Sequence, residues 1–152
     1  MTAQTGRTNA RWLTVKVDNS SGTLTDLSSY VSEVGQFGLT YDTTDVTAFS
    51  DAVKNITLGK PGAPLTMSGP LDTTIITHMT TINGVSTPLT VDLQMGIRHA
   101  WEAGEPQFGI TSSSTVGYLV TSFMVDWNNN KWTATLDVMG ATAPAFGTAA
   151  ET

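Results

Sequence analysis

Residues 87–101, TPLTVDLQMGIRHAW, alternate apolar and polar side chains more cleanly than any other stretch of the chain. Leu89, Val91, Leu93, Met95 and Ile97 fall on one side, and Thr90, Asp92, Gln94 and Arg98 on the other. A period of two is the signature of a strand with one face on a core and one toward solvent. Such half-buried strands belong to antiparallel sheets. RWLTVKVD repeats the pattern, with Leu13, Val15 and Val17 inward and Thr14, Lys16 and Asp18 outward.

The remaining strand signals agree. PLTMSGPL predicts a strand with Leu65 and Met67 on one face, and another is expected from about Phe37 to Tyr41. VGYLVTSFMVDW and KWTATLDVMG, joined by NNN, form a predicted hairpin. Leu119, Phe123, Val125 and Trp127 share one face of it, as do Trp132, Ala134, Leu136 and Val138. DTTIITHMTTING is the best helix. Asp72 can cap it, Ile75, Met79 and Ile82 line one face, and Asn83-Gly84 stops it. LTDLSSYVSEV fits a short helical turn or an extended segment. DNSSGT reads as a turn, PGAP as a chain break, and EAGEPQFGITSSST as a loop or irregular edge.

The sum is a mainly β chain: an antiparallel β-sandwich or barrel with one flanking α-helix and extended terminal arms. Residues 1–10 read as a flexible N-terminal arm, 11–140 as a single β-sandwich domain, and 141–152 as a C-terminal arm with Phe146 as an anchor. Strands do not alternate with helices, which disfavours a doubly wound fold.

Charge narrows the function classes. The formal net charge is −6, and the seven Lys and Arg residues form no run or stripe, so tight phosphate binding is not expected. Only 13% of residues are charged, while Ser and Thr make up about a quarter. Such a surface carries little desolvation cost on association, a hint of an assembly protein. The chain has no cysteine, which removes disulfides and thiol chemistry. MTAQTGRTNARW lacks the apolar stretch of a signal peptide, and no window approaches the roughly 18 apolar residues of a membrane span.

Chemical motifs are scarce. In YDTTDVTAFSDAVKNITLG, residues 41–59, Asp42, Asp45 and Asp51 are hard oxygen donors for calcium. An EF-hand counted from Asp42 fails, because Thr47 stands where Gly is needed and Val53 where Glu is needed. Turn capping is the simpler role for these aspartates. His78 and His99 have no second histidine at ligand spacing. LGKPG has Pro61 where a phosphate loop needs Ser or Thr, and no G-x-S-x-G elbow occurs. Glu102 and Glu105 flank a glycine in a loop, which does not suggest a glycosidase pair. Neither an enzyme nor a metal or cofactor site is expected.

At DVTAFSDAVKNITLGKPGAPLTMSGPLDTT the chain resembles the major tail (tail tube) proteins of long-tailed bacteriophages. The matching pieces are Thr47-Ala48-Phe49-Ser50-Asp51, Leu58-Gly59, Leu65-Thr66-Met67-Ser68-Gly69 and Asp72, preceded by Asp26-Leu27-Ser28-Ser29-Tyr30-Val31. The likeness covers about residues 12–97, and departs from the family where Ser50 replaces a usual glycine.

The resemblance implies a structural virion protein that self-assembles into stacked rings, forming a tail tube for DNA ejection. It implies hexameric rings closed edge to edge, contacts with other tail proteins, DNA that passes without specific binding, no membrane, and synthesis in the bacterial host cytoplasm. On this reading 41–59 is an inter-subunit or inter-ring loop. Phe49, Val53 and Ile56 would be apolar anchors and Lys54 a charge partner, with Asp45, Val46, Thr47, Leu58 and the arm residue Phe146 completing the interface. A capsid-decoration or head–tail joining protein would share the same character. A carbohydrate-binding module would use an exposed Trp such as Trp101.

Overall fold

The computed structural model describes residues 12–97 and 99–147. The region read as an N-terminal arm, 1–10, and the last five residues of the C-terminal one lie outside them. In chain order the elements are β1 (Leu13–Asp18), β2 (Leu24–Asp26), a 3-10 turn (Ser28–Tyr30), β3 (Glu33–Val34), β4 (Thr40–Asp45), β5 (Ile56–Gly62) and β6 (Leu65–Pro70). They continue with α1 (Thr73–Ile82), β7 (Val91–Met95), β8 (Gln107–Ile110), β9 (Gly117–Asp126), β10 (Lys131–Met139) and β11 (Ala145–Phe146).

Two antiparallel sheets share the core. A five-stranded sheet has the order β11-β8-β7-β1-β2, and a four-stranded sheet the order β3-β6-β10-β9. Val15, Val17, Val91, Leu93 and Phe108 of the first join Leu65, Met67, Trp132, Ala134 and Leu136 of the second in one buried cluster. The alternation in β1 and β7 therefore places one face of each strand in the core. Helix α1 adds Ile75, Met79 and Ile82 to that cluster. The Asp72 carboxylate accepts from the Thr74 backbone N–H at 2.8 Å and Gly84 takes φ +73°, so both helix ends stop as the sequence predicts. The fold is thus mainly antiparallel β, sandwich-like, with a single helix among the described residues.

Four local expectations are corrected. The stretch read as a loop or irregular edge, 102–115, contains β8, a strand buried along its whole length between β7 and β11. Asp18, Thr90, Asp92 and Gln94, all expected outward, are buried; the Gln94 amide donates to the Asp92 carboxylate at 3.0 Å, and Lys16 lies directly across from Asp92. The PGAP break falls later than expected, because Pro61 and Gly62 still belong to β5, where they pair with Tyr41 and Thr40. The strand expected over 37–41 begins instead at Thr40.

The closing hairpin also differs in detail. Thr135 pairs with Ser122, but the next residue, Leu136, pairs with Val120. Thr121 is the extra residue of a bulge, and a bulge reverses which parity faces inward. Phe123 and Val125 lie opposite Ala134 and Trp132 as expected, whereas beyond the bulge Tyr118 and Val120 are buried in place of Leu119. Trp127, at the turn, is 82% exposed. Asn130 takes φ +52° to close that turn, a conformation that Asn tolerates.

The segment read as the start of a C-terminal arm folds back on its own subunit. Ala145 and Phe146 pair with Gly109 and Phe108, and the Phe146 ring lies 4.6 Å from that of Phe108 and 6.2 Å from that of Phe37.

Candidate assembly surface

β4 and β5 pair only with each other, forming a two-stranded sheet apart from both layers of the sandwich. The pairs run from Thr40↔Gly62 to Asp45↔Ile56. Nearly every residue from 40 to 60 is exposed. Across the tip the loop 46–55 is tied by its own polar side chains. The Asp45 carboxylate accepts from the Thr47 backbone N–H at 2.9 Å and from its hydroxyl at 2.6 Å. The Thr47 hydroxyl oxygen in turn accepts from the Asn55 N–H at 2.8 Å. The Asp51 carboxylate accepts from the Ala48 N–H at 2.7 Å, and the Asp51 N–H donates to the Ala48 carbonyl.

These bonds give two of the three aspartates of this stretch, Asp45 and Asp51, a local role. Hydrogen bonds from Thr47 hold Asp45 below the usual carboxylate range, and those from Ala48 and Asn55 do the same for Asp51. Both carboxylates are turned onto the loop's own donors as turn staples. The hairpin carries exposed apolar side chains: Val46, Phe49 and Val53 in the loop, and Ile56 and Leu58 on one face of β5. Phe49 is fully exposed and Val53 is 72% exposed.

An isolated two-stranded hairpin with an uncovered apolar face is marginal in water. Asp45, Val46, Thr47, Phe49, Val53, Lys54, Ile56 and Leu58 all fall on this one projection. Phe146 does not. It lies at the root, where its ring packs on Phe37 and approaches Gly38, two residues before β4 starts.

Three features were not legible in the sequence. Met124, Val125 and Trp127 are further exposed apolar side chains toward the β9–β10 turn. A groove of about 510 Å³ opens between Trp101, Ala103, Gly104, Glu105 and Phe146. Beside it His99, Glu102 and Glu105 place potential ligand atoms within 4.8 Å of one another, the one such group among the described residues. Glu105 is largely committed there. Its oxygens accept from the Glu102 N–H at 2.7 Å and the Ile97 N–H at 3.2 Å, and the His99 Nε2 stands 3.6 Å away. The His99 pKa is raised, first by the hydrogen bond from Nδ1 to the Ala100 carbonyl and then by the two glutamates. The other histidine, His78, is half-buried on α1, and burial lowers its pKa.

No helix among the described residues is long and apolar enough to cross a membrane. The sheets keep open edges. The Asn83–Leu89 segment bridges β9 at Tyr118 and Val120, while residues 121–126 have no strand on that side among the described residues.

No protein-family model and no curated protein matches the chain. Solved structures do. The chain is similar to one in the tail of an empty gene transfer agent particle with C6 symmetry, at 14% identity and a TM-score of 0.55, covering 93% of this chain and 100% of that one. A chain in the virion of a native gene transfer agent particle gives 14% identity and a TM-score of 0.57, with coverage of 93% and 100%. The sheath/tube terminator of an extracellular contractile injection system gives 14% and 0.54, with coverage of 92% and 96%. The fold is therefore shared with chains of gene transfer agent particles, one of them in the tail, and of a contractile injection system, in agreement with the resemblance read from the sequence.

Proposed function

We propose that this chain is a non-enzymatic structural subunit of a phage tail, which self-assembles into stacked rings whose lumen conducts DNA. The observation that carries the proposal is the detached β4–β5 hairpin, an ordered projection whose apolar side chains find no cover within the subunit. Its stability requires another surface, and a second copy is the economical source. The fold shared with tail components supports the same reading.

Ring closure would use the sheet edges, chiefly residues 121–126 of β9. Edge-to-edge pairing consumes hydrogen-bonding groups that otherwise invite aggregation. A closed ring of the four-stranded sheet would turn its outer face to the lumen. That face carries Thr66, Ser122, Met124, Thr133 and Thr135, with Glu33 paired to Lys131 at 3.7 Å and Asp126 and Asp137 left acidic. Hydroxyls and residual negative charge would keep DNA hydrated and unbound. The likeness to a C6 tail supports a ring of six, and the partners would be further copies and other tail proteins. The protein would reside in the virion tail after synthesis in the host cytoplasm.

Negative-stain electron microscopy at rising concentration, with mass followed by light scattering, tests the reading. Hollow rings or tubes of uniform diameter are expected. Compact trimers would replace it with a capsid-decoration role, and a monomer at every concentration would refute self-assembly.

A further inference from the structure

The hairpin tip needs a receiving site, and the surface offers several recesses of different chemistry. One is lined by threonines with Asn19, Ser20 and His78. Another, about 350 Å³, adjoins Lys60 and Pro61 at the base of the hairpin itself and has a cationic rim. The groove at Trp101 and Phe146 differs from both. Its walls are mainly aromatic and small residues, its volume of about 510 Å³ accommodates a benzyl group, and Glu105 lines it with the Glu102 carboxylate within 4.8 Å of that of Glu105. The tip presents the complement: a fully exposed Phe49 and, five residues on, Lys54. Asp45 and Asp51 accept from the loop's own donors, and Lys54 is the one cation of the 46–55 loop.

We propose that the hairpin tip of one copy seats in the Trp101–Phe146 groove of a second copy, with Phe49 between the aromatic rings and Lys54 over Glu102 and Glu105. The inference rests on the self-assembly reading above and specifies its contact. Trp101 is held for this role by its indole N–H, which donates to the Pro106 carbonyl at 3.0 Å and the Glu105 carbonyl at 3.2 Å. Glu102 is the freer of the two carboxylates, because Glu105 already accepts backbone donors.

The groove lies at the hairpin's root, since Phe146 contacts Phe37 and Gly38 just before β4. The six residues of β4 carry the tip roughly 20 Å from that root. Tip and groove are different surfaces, so the contact is heterologous. It propagates head to tail in one direction, as stacking requires, and does not close a symmetric dimer.

The absence of native cysteines allows a clean test. F49C and A103C variants are mixed, oxidised with copper phenanthroline and examined by electron microscopy and peptide mass spectrometry. A disulfide joining the two variants is expected in the assembled fraction of the mixture and in neither variant alone. Rings or tubes that assemble without that crosslink would overturn this contact while leaving self-assembly standing. Wild-type protein that never assembles would sink both. A charge exchange covers the case in which a cysteine variant fails to assemble. K54E and E102K are each expected to lower the assembled fraction roughly tenfold, and the double variant to recover most of it. A double variant no better than the worse single one would refute the pairing.

Discussion

Replacing Phe146 by Ala separates two roles that a terminal aromatic residue can play. In the structure its ring packs against its own subunit, 4.6 Å from Phe108 and 6.2 Å from Phe37, yet 56% of the residue remains exposed. Removing a fully buried Phe costs about 3–5 kcal/mol. With a little under half of this one buried, the loss should be roughly 1.5–2 kcal/mol, which includes the tilted ring contact with Phe108. The backbone pairing of β11 with β8 is unaffected by the side chain. The assay is urea unfolding of dilute, monomeric protein, followed by the fluorescence of the tryptophans, of which Trp132 is fully buried. At an m-value of about 2 kcal/mol per molar, the midpoint should fall by roughly 1 M, or the melting temperature by roughly 4–6 °C. An unchanged midpoint would refute the reasoning. Phe146 would then contribute nothing to its own subunit in solution, and the C-terminal segment would act only in assembly.

Two further outcomes follow from the packing. G69A should cost about 1–3 kcal/mol, because a methyl there would sit 2.1 Å from the Tyr30 carbonyl oxygen and force the Tyr30–Ser32 backbone away from β6; G62A, whose new methyl meets nothing within 4 Å, should stay within about 0.5 kcal/mol in the same urea titration. Burial raises the pKa of Asp92 above its ordinary 3.8, against the opposing pull of Gln94 and Lys16. The folded state therefore favours the protonated acid. Its contribution to stability is complete below the unfolded value and is lost as pH rises through the folded one. D92N should accordingly be more stable than the native protein at pH 7, with the difference closing below about pH 4. A D92N protein less stable at pH 7 would show that the charge pairing with Lys16 outweighs desolvation.

The strands that form the centre of the sandwich could be read directly. In β1 and β7 a period of two places Val15, Val17, Val91 and Leu93 inward, whatever lies beyond them. The helix was equally plain, because Asp72, the apolar face and Gly84 are local signals that need no partner. The projecting stretch 41–59 was singled out by its residues, but its form was not. Ile56 and Leu58 alternate as core residues do, and alternation reports that a face will be covered without saying by which chain.

Tertiary structure decided the rest. β8 looked like a loop or irregular edge because its four residues are flanked by Gly104 and Pro106 on one side and a Ser/Thr run on the other; it is a buried strand because neighbours on both edges satisfy its backbone. The bulge at Thr121 depends on how β9 meets β10, and it exchanges Leu119 for Tyr118 and Val120 in the core. The groove unites Trp101 and Phe146, separated along the chain but joined through β8, whose hydrogen bonds carry β11 beside it. Local sequence fixes periodicity and turns through short-range sterics and hydrogen bonds. Which faces meet, and which stay open for another copy, depends on pairings between distant segments that no local pattern encodes.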